Sequence, residues 1–198
     1  MQISIKQLKK ALEAKNYRFF ENDSKNFNLN LIGIRSAENK SNAFNDWLFV
    51  VWQYQGLWNQ LQFRITTDPG LYWLEAEPLN ELGTAIVKPG QYRGLWQIGK
   101  HQNKYKALVQ RGPITVIRDA DRDGQMDLQG GTEQEGLFGI NLHRANARRQ
   151  SIRIDRWSAG CQVFADPQDF NVFLQLCTEA AKNWGDSFSY TLLEEGAL

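Results

Sequence analysis

The chain has 198 residues, a formal net charge of +1, 42% hydrophobic and 12% aromatic residues, and seven tryptophans. That length and apolar content suit one domain, or one domain with a small appendage, around a sizeable core. The near-zero charge gives no bulk electrostatic case for nucleic acid or a membrane surface, no run approaches the ~18 apolar residues of a membrane span, and two cysteines are too few for a disulfide framework.

The first twenty residues lack the apolar h-region and small-residue cleavage site of a secretory signal. The sequence therefore predicts a protein that is cytoplasmic as made, or one carried outward by a phage-type device or another export route. Ser4 to Lys15 reads as a helix, with Ser4 as N-cap and Ile5, Leu8, Ala11 and Leu12 as its apolar stripe. Tyr17 to Phe20 and Phe27 to Arg35 read as strands, joined by a turn at Asn22-Asp23-Ser24. Ser36 to Asn42 is a polar loop. Residues 1–42 are read as an N-terminal helix-and-strand extension, and residues 43–198 as the main domain.

Trp47 to Tyr54 is an aromatic, β-branched run. Leu61 to Thr67 alternates, and the two form a hairpin across Gly56 to Asn59. Asp68-Pro69-Gly70 is a turn in which Pro presets φ and Gly supplies a positive one. Leu71 to Leu74 is an aromatic segment bounded by Pro78. Short strands follow at Thr84 to Val87, Tyr92 to Ile98, Ala107 to Gln110 and Ile114 to Arg118. His101 falls between two of them in a polar loop, where it is either solvated or faces a substrate groove.

Asp119-x-Asp121-x-Asp123-Gly124 has the letters of a calcium loop. Counted from Asp119, however, position 12 is Gly130, where an EF-hand needs a bidentate acid. A solvated Asp/Gly turn explains the same residues, and no metal is predicted. Gly130 to Gly136 reads as a hinge. Asp166 and Pro167 start a helix that runs to about Trp184 and stops at Gly185, with Cys177 and Trp184 on its core face. Phe188 to Leu193 is a closing strand.

The chemistry concentrates between Gly139 and Phe164. His143 ends an apolar strand, a basic loop with five arginines follows, and Trp157-Ser158-Ala159-Gly160-Cys161 leads into another strand. A free thiol with pKa about 8.5 is only a few per cent ionised at neutral pH, so a nucleophilic cysteine needs a base. His143 lies 161 − 143 = 18 residues upstream across a segment able to fold back. Small residues before the thiol let backbone N–H groups face a substrate oxygen. Such a pair predicts activity that titrates near neutrality, with Arg144 favouring the thiolate. A buried structural cysteine remains the alternative.

His143, the gap and Ser158-x-Gly160-Cys161 together resemble the active-site signature of the L,D-transpeptidases, cysteine enzymes that cut and rejoin peptidoglycan stem peptides. The resemblance is close from His143 to Cys161 and loose back to Thr84. The family pattern has Gly after the His, His between Ser/Thr and Gly, and Arg two residues after the Cys. Here those places hold Arg144, Ala159 and Val163. The resemblance implies a mainly β fold with few helices, an L,D-transpeptidase-like β-sandwich with a helix after the catalytic loop. It also implies an acyl-thioester on Cys161, His143 as base and the Gly160–Cys161 turn as oxyanion holder. Ser158, Arg144, Trp157, His101 and Tyr92 are assigned to substrate binding, and no cofactor is implied. The expected partner is peptidoglycan or a related peptide. Two alternatives stay open: a cysteine peptidase or amidase on the same fold, and a non-enzymatic wall- or glycan-binding module with an inert thiol.

Overall fold

The computed structural model describes residues 2–21, 25–38, 42–76 and 79–198. The predicted turn at 22–24, residues 39–41 of the polar loop, and Pro78 lie outside them. Among the described residues the protein is mainly β, with three α-helices. Helix α1 (Ile5–Ala14) is opened by a capping box, in which the Ser4 hydroxyl accepts from the Gln7 N–H and the Gln7 side chain accepts from the Ser4 N–H. Its stripe of Leu8, Ala11 and Leu12 covers one face of the sheet at Ile32, Ile34, Phe49, Val51 and Leu193.

Strands β1 (Asn30–Arg35), β2 (Asp46–Tyr54), β3 (Leu57–Thr66), β5 (Gly90–His101), β6 (Tyr105–Gln110), β9 (Leu142–Arg144), β10 (Gln162–Phe164) and β11 (Phe188–Glu194) form one sheet. Its order is β1-β11-β5-β6-β9-β10-β3-β2, and it closes as a barrel. Strands β4 (Thr84–Val87), β7 (Ile114–Asp119) and β8 (Thr132–Gly136) make a separate sheet in the order β4-β7-β8. The expected sandwich of two open sheets is thus a closed eight-stranded sheet beside a three-stranded one. The β2–β3 hairpin turns on Gln55 and Gly56, at φ 50° and 78°, the pair of positive angles that a tight hairpin matching strand twist requires.

The segment read as an appendage supplies β1, which lies between β2 and β11 inside the closed sheet. Tyr17 to Phe20 form no strand. Their backbone is held by side chains instead, with the Arg18 N–H donating to Gln91 and the Phe20 N–H to Asn30. Leu71–Glu75 is a short helix, α2. The expected hinge at Gly130 to Gly136 becomes β8, whose polar residues suit an edge strand paired on one side to β7.

The largest core cluster includes Leu31, Leu48, Phe63, Trp96, Leu108, Leu142, Phe164 and Tyr190. Helix α3 (Pro167–Trp184), capped by Asp166 with Pro167 in its first turn, lays Phe170, Phe173, Cys177 and Ala180 on that cluster. Cys177 is fully buried, as its helical spacing predicts. Trp184 is not core. At the helix end it is 37% exposed and its indole N–H donates to the Asn26 carbonyl.

Candidate active site around Cys161 and His143

Strands β9 and β10 run parallel with Leu142 opposite Gln162 and His143 opposite Val163. Side chains alternate along a strand, and directly paired residues share a face. Leu142 and Phe164 therefore point into the main core, whereas Val163 joins Phe44, Ala145 and Ile154 on the other face. Cys161, two residues before Val163, packs against that second cluster and so lies on the face of His143. The Gln162 N–H donates to the Asn141 carbonyl, which extends the register and brings Asn141 beside Cys161.

The thiol loop is fixed from within. Ser158 is fully buried. Its hydroxyl donates to the Cys161 carbonyl at 2.8 Å and accepts from the Gly160 N–H at 3.1 Å. The Gly70 N–H donates to the Ser158 carbonyl. Gly160 sits at φ 120°, and a Cβ there would come 2.6 Å from the Ala85 carbonyl oxygen, so no other residue fits without movement of the backbone. Ser158 consequently shapes the loop, its buried hydroxyl spent on the loop's own backbone. The Gly160 N–H is already engaged, which removes it as the expected oxyanion donor. The Cys161 N–H has no acceptor among the described residues.

The Cys161 sulfur accepts from the Asn141 N–H at 3.4 Å, and its own S–H faces the Gly139 carbonyl at 3.5 Å. Burial pushes the thiol up to about 11, only partly offset by the Asn141 N–H. Arg144 does not favour the thiolate in the way its proximity in sequence suggests. Its guanidinium lies over the Tyr105 ring, 4.1 Å from the centroid.

His143 is 2% exposed. Its Nδ1 lies 2.9 Å from the Arg144 carbonyl and 3.2 Å from the Tyr105 hydroxyl, which itself donates to the same carbonyl at 3.0 Å. A carbonyl only accepts, so Nδ1 carries the proton and Nε2 presents its lone pair. That Nε2 is buried and has no partner among the described residues. Burial above all, then His101 and the Arg144 charge, lower the imidazole to about 3. Both shifts favour the neutral forms over the titration near neutrality that the sequence suggests. The resting pair is a neutral thiol and a neutral imidazole.

His101 is not in a loop. It ends β5 at the tight turn of Gln102 and Asn103, is 9% exposed, and stacks on His143 with ring centroids 3.9 Å apart and planes at 17°. The Asn141 side chain is pinned because its Oδ1 accepts from the Gln110 N–H. Its Nδ2 therefore donates to His101 Nδ1 at 3.0 Å, which puts the His101 proton on Nε2. A cavity of about 370 Å³ opens beside the two rings, lined by His101, Tyr105, His143, Arg144, Arg156 and Trp157 among others. Arg148, Arg149 and Arg153 of the same loop are exposed outside it.

Tyr92 does not belong to this site. Its hydroxyl donates to the Lys88 carbonyl and lies 3.3 Å from that of Thr115, joining the barrel to the small sheet, and burial raises it to about 12. Asn141, whose N–H meets the Cys161 sulfur, and Tyr105, whose hydroxyl meets His143, are not singled out by the sequence. Asn141 stands two residues before His143 on the same strand face, the one signal available for it.

In the Asp119 loop, Asp119, Asp121 and Asp123 accept the N–H groups of Asp127, Asp123 and Gln125. Among the described residues no group of three or more His, Cys, Asp or Glu is arranged to hold a metal ion. Comparison with known proteins gives no matching family model, no matching curated protein and no matching solved structure.

Proposed function

We propose that this chain is a cysteine acyltransferase of the L,D-transpeptidase kind, acting on peptidoglycan stem peptides through an acyl-thioester on Cys161. The observation that carries the reading is the His143 imidazole. It is buried, anchored through Nδ1, and left with a bare Nε2 lone pair on the sheet face that bears the thiol. A core histidine placed for structure alone seldom leaves a buried acceptor unsatisfied, because that costs about 1–3 kcal/mol. The helix α3, which follows the thiol loop after the short strand β10, fits the helix that the resemblance places after the catalytic loop.

From a neutral pair, the S–H proton passes to His143 Nε2 as sulfur attacks the peptide carbonyl carbon. The Cys161 N–H meets the oxyanion, a contribution on the order of 3 kcal/mol per such donor. The tetrahedral adduct then collapses to the thioester, and the leaving amine takes the proton back from the imidazolium. Burial makes that imidazolium a short-lived carrier, which favours rapid return of the proton. An incoming amine completes transfer, and water in its place makes the enzyme a hydrolase. Product analysis with and without an acceptor amine separates the two. Lys104, Arg144 and Arg156 along the cavity suit the carboxylates of such peptides.

One feature favours the non-enzymatic reading, namely the burial that pushes the thiol up from its ordinary range. Alkylation of Cys161 by iodoacetamide, followed site by site by mass spectrometry, decides between them. Wild type should label Cys161 and spare Cys177. His143→Ala should slow that labelling and lower turnover of a stem peptide by about 10² or more. Equal labelling rates in the two proteins would leave the thiol without a base and the binding module as the better account.

A further inference from the structure

A second cavity, of about 200 Å³, reaches the thiol loop from the side of the small sheet. Trp73, Asn80, Arg118, Phe138, Ile140 and Ala159 are among its walls. Ala159 is two residues before Cys161, and Ile140 precedes Asn141, whose N–H meets the sulfur. The mechanism above makes no use of this space.

Its one charged wall is unusual. Arg118, on β7, is 6% exposed. Nε donates to the Gln134 side chain at 2.7 Å, Nη1 donates to the Gly83 carbonyl at 3.2 Å, and the guanidinium lies over Phe138, 4.7 Å from the ring centroid. Those bonds engage two of its five N–H groups. No carboxylate among the described residues pairs with it, although Arg118 also borders a cavity lined by Asp119, the last residue of β7, and by Asp121 and Asp127 of the next loop. A guanidinium stays protonated at any ordinary pH. A buried cation held only by neutral acceptors and a ring is costly unless an anion completes it. The remaining N–H groups form a rigid planar fork, the geometry that carboxylates take in a bidentate pair. The apolar walls of Trp73, Phe138 and Ile140 fit a carbon chain between that fork and the thiol loop.

We propose that this cavity is a carboxylate subsite, in which Arg118 holds the free carboxylate of an acyl donor whose carbonyl lies at Cys161. The proposal rests on Cys161 being the reacting group. Its occupant is a carboxylate-bearing acyl chain, a narrower class than the peptides the basic cavity beside His143 admits.

The test compares two electrophiles of equal length, N-chloroacetyl-β-alanine and its amide, as alkylators of Cys161. Wild type should prefer the acid by about tenfold, roughly the discrimination of one good charge-assisted contact. Arg118→Gln should abolish the preference while leaving the rate with the amide unchanged. Arg118→Lys, which keeps the charge and loses the fork, should retain part of it. An equal acid-to-amide ratio in wild type and Arg118→Gln overturns the subsite. A second arm is independent of thiol chemistry and uses Cys161→Ala with propionate against propionamide at matched ionic strength. Propionate should raise the melting temperature of Cys161→Ala and not of its Arg118→Gln double variant. No difference between those proteins also overturns the subsite. A propionate shift in a protein whose Cys161 resists both electrophiles would leave the anion site standing and sink the catalytic reading.

Discussion

At the scale of single residues, the two cysteines separate by what surrounds them. Cys161 sits at a strand entrance with a backbone N–H on its sulfur, while Cys177 is enclosed by Phe170, Phe173 and Ala180 on α3. Cys161→Ala should abolish activity and leave the melting temperature nearly unchanged, because a loop thiol at the edge of a small cluster carries little packing. Cys177→Ala should keep activity and lose stability on the order of 1 kcal/mol, the usual result of emptying part of a core. Calorimetry and a turnover assay on both variants check this, and an exchange of the two phenotypes would reverse the assignment. That Cys161 and His143 come to one face of the sheet is legible in the sequence, because residue type and spacing point to it. The partners that set their protonation are not. His101, Tyr105 and Asn141 reach His143 or the sulfur only through strand pairing, which brings together residues up to 143 − 101 = 42 positions apart.

At the scale of elements, local chemistry predicts well and pairing order does not. The Ser4 cap of α1, the Asp166-Pro167 start and Gly185 stop of α3, and the aromatic hairpin of β2 and β3 all stand where their own residues place them. Closure of the large sheet rests on one-pair contacts such as Leu108 to Leu142, which leave no periodicity in the chain. The thiol loop is the element on which the proposed function depends most, and Ser158 is its internal brace. Ser158→Ala removes the acceptor of the Gly160 N–H and the donor to the Cys161 carbonyl, leaving both groups buried. It should cost about 1–3 kcal/mol and lower Cys161 labelling although the Ser158 side chain is fully buried. Labelling at the wild-type rate would show that the loop holds its shape without the brace. The Asp119 loop is the contrasting element. Its carboxylates already accept backbone N–H groups and Gly130 stands where a bidentate acid is needed. Calcium or a chelator should therefore leave the melting temperature unchanged, and a calcium-dependent rise of several degrees, the mark of a ligand that binds only the folded state, would contradict this.

At the scale of the whole molecule, one buried polar network ties the ends of the chain to the site. Arg35 of β1 pairs with Asp68 and donates to the Thr67 and Val87 carbonyls. Asp46 of β2 accepts from the Ser36 N–H and from both the N–H and the hydroxyl of Thr67. Tyr190 of β11 donates to Gln162, next to the thiol. Burial, with Asp68 beside it, raises the Asp46 carboxyl from 3.8 to about 7, while burial lowers His143 from 6.5 to about 3. The two shifts act in one pH window with opposite sign. Between about pH 4 and 7 the folded state holds a proton on Asp46 that the unfolded chain releases. That stabilisation is complete below the unfolded pKa and is lost as pH rises through the folded one. Over the same range the unfolded chain protonates His143 while the folded state does not, so stability falls as pH falls. The two contributions offset each other, and the wild-type melting temperature should change little across the window. Asp46→Asn leaves the histidine term unopposed, and its melting temperature should climb with pH more steeply than that of wild type. His143→Gln leaves the aspartate term, and its melting temperature should decline over the same interval. Calorimetric scans of the three proteins at half-unit steps give the slopes. If Asp46→Asn keeps the wild-type slope, Asp46 is ionised in the folded protein throughout, and the network joining the terminal strands to the thiol loop carries its charge at every pH in the window.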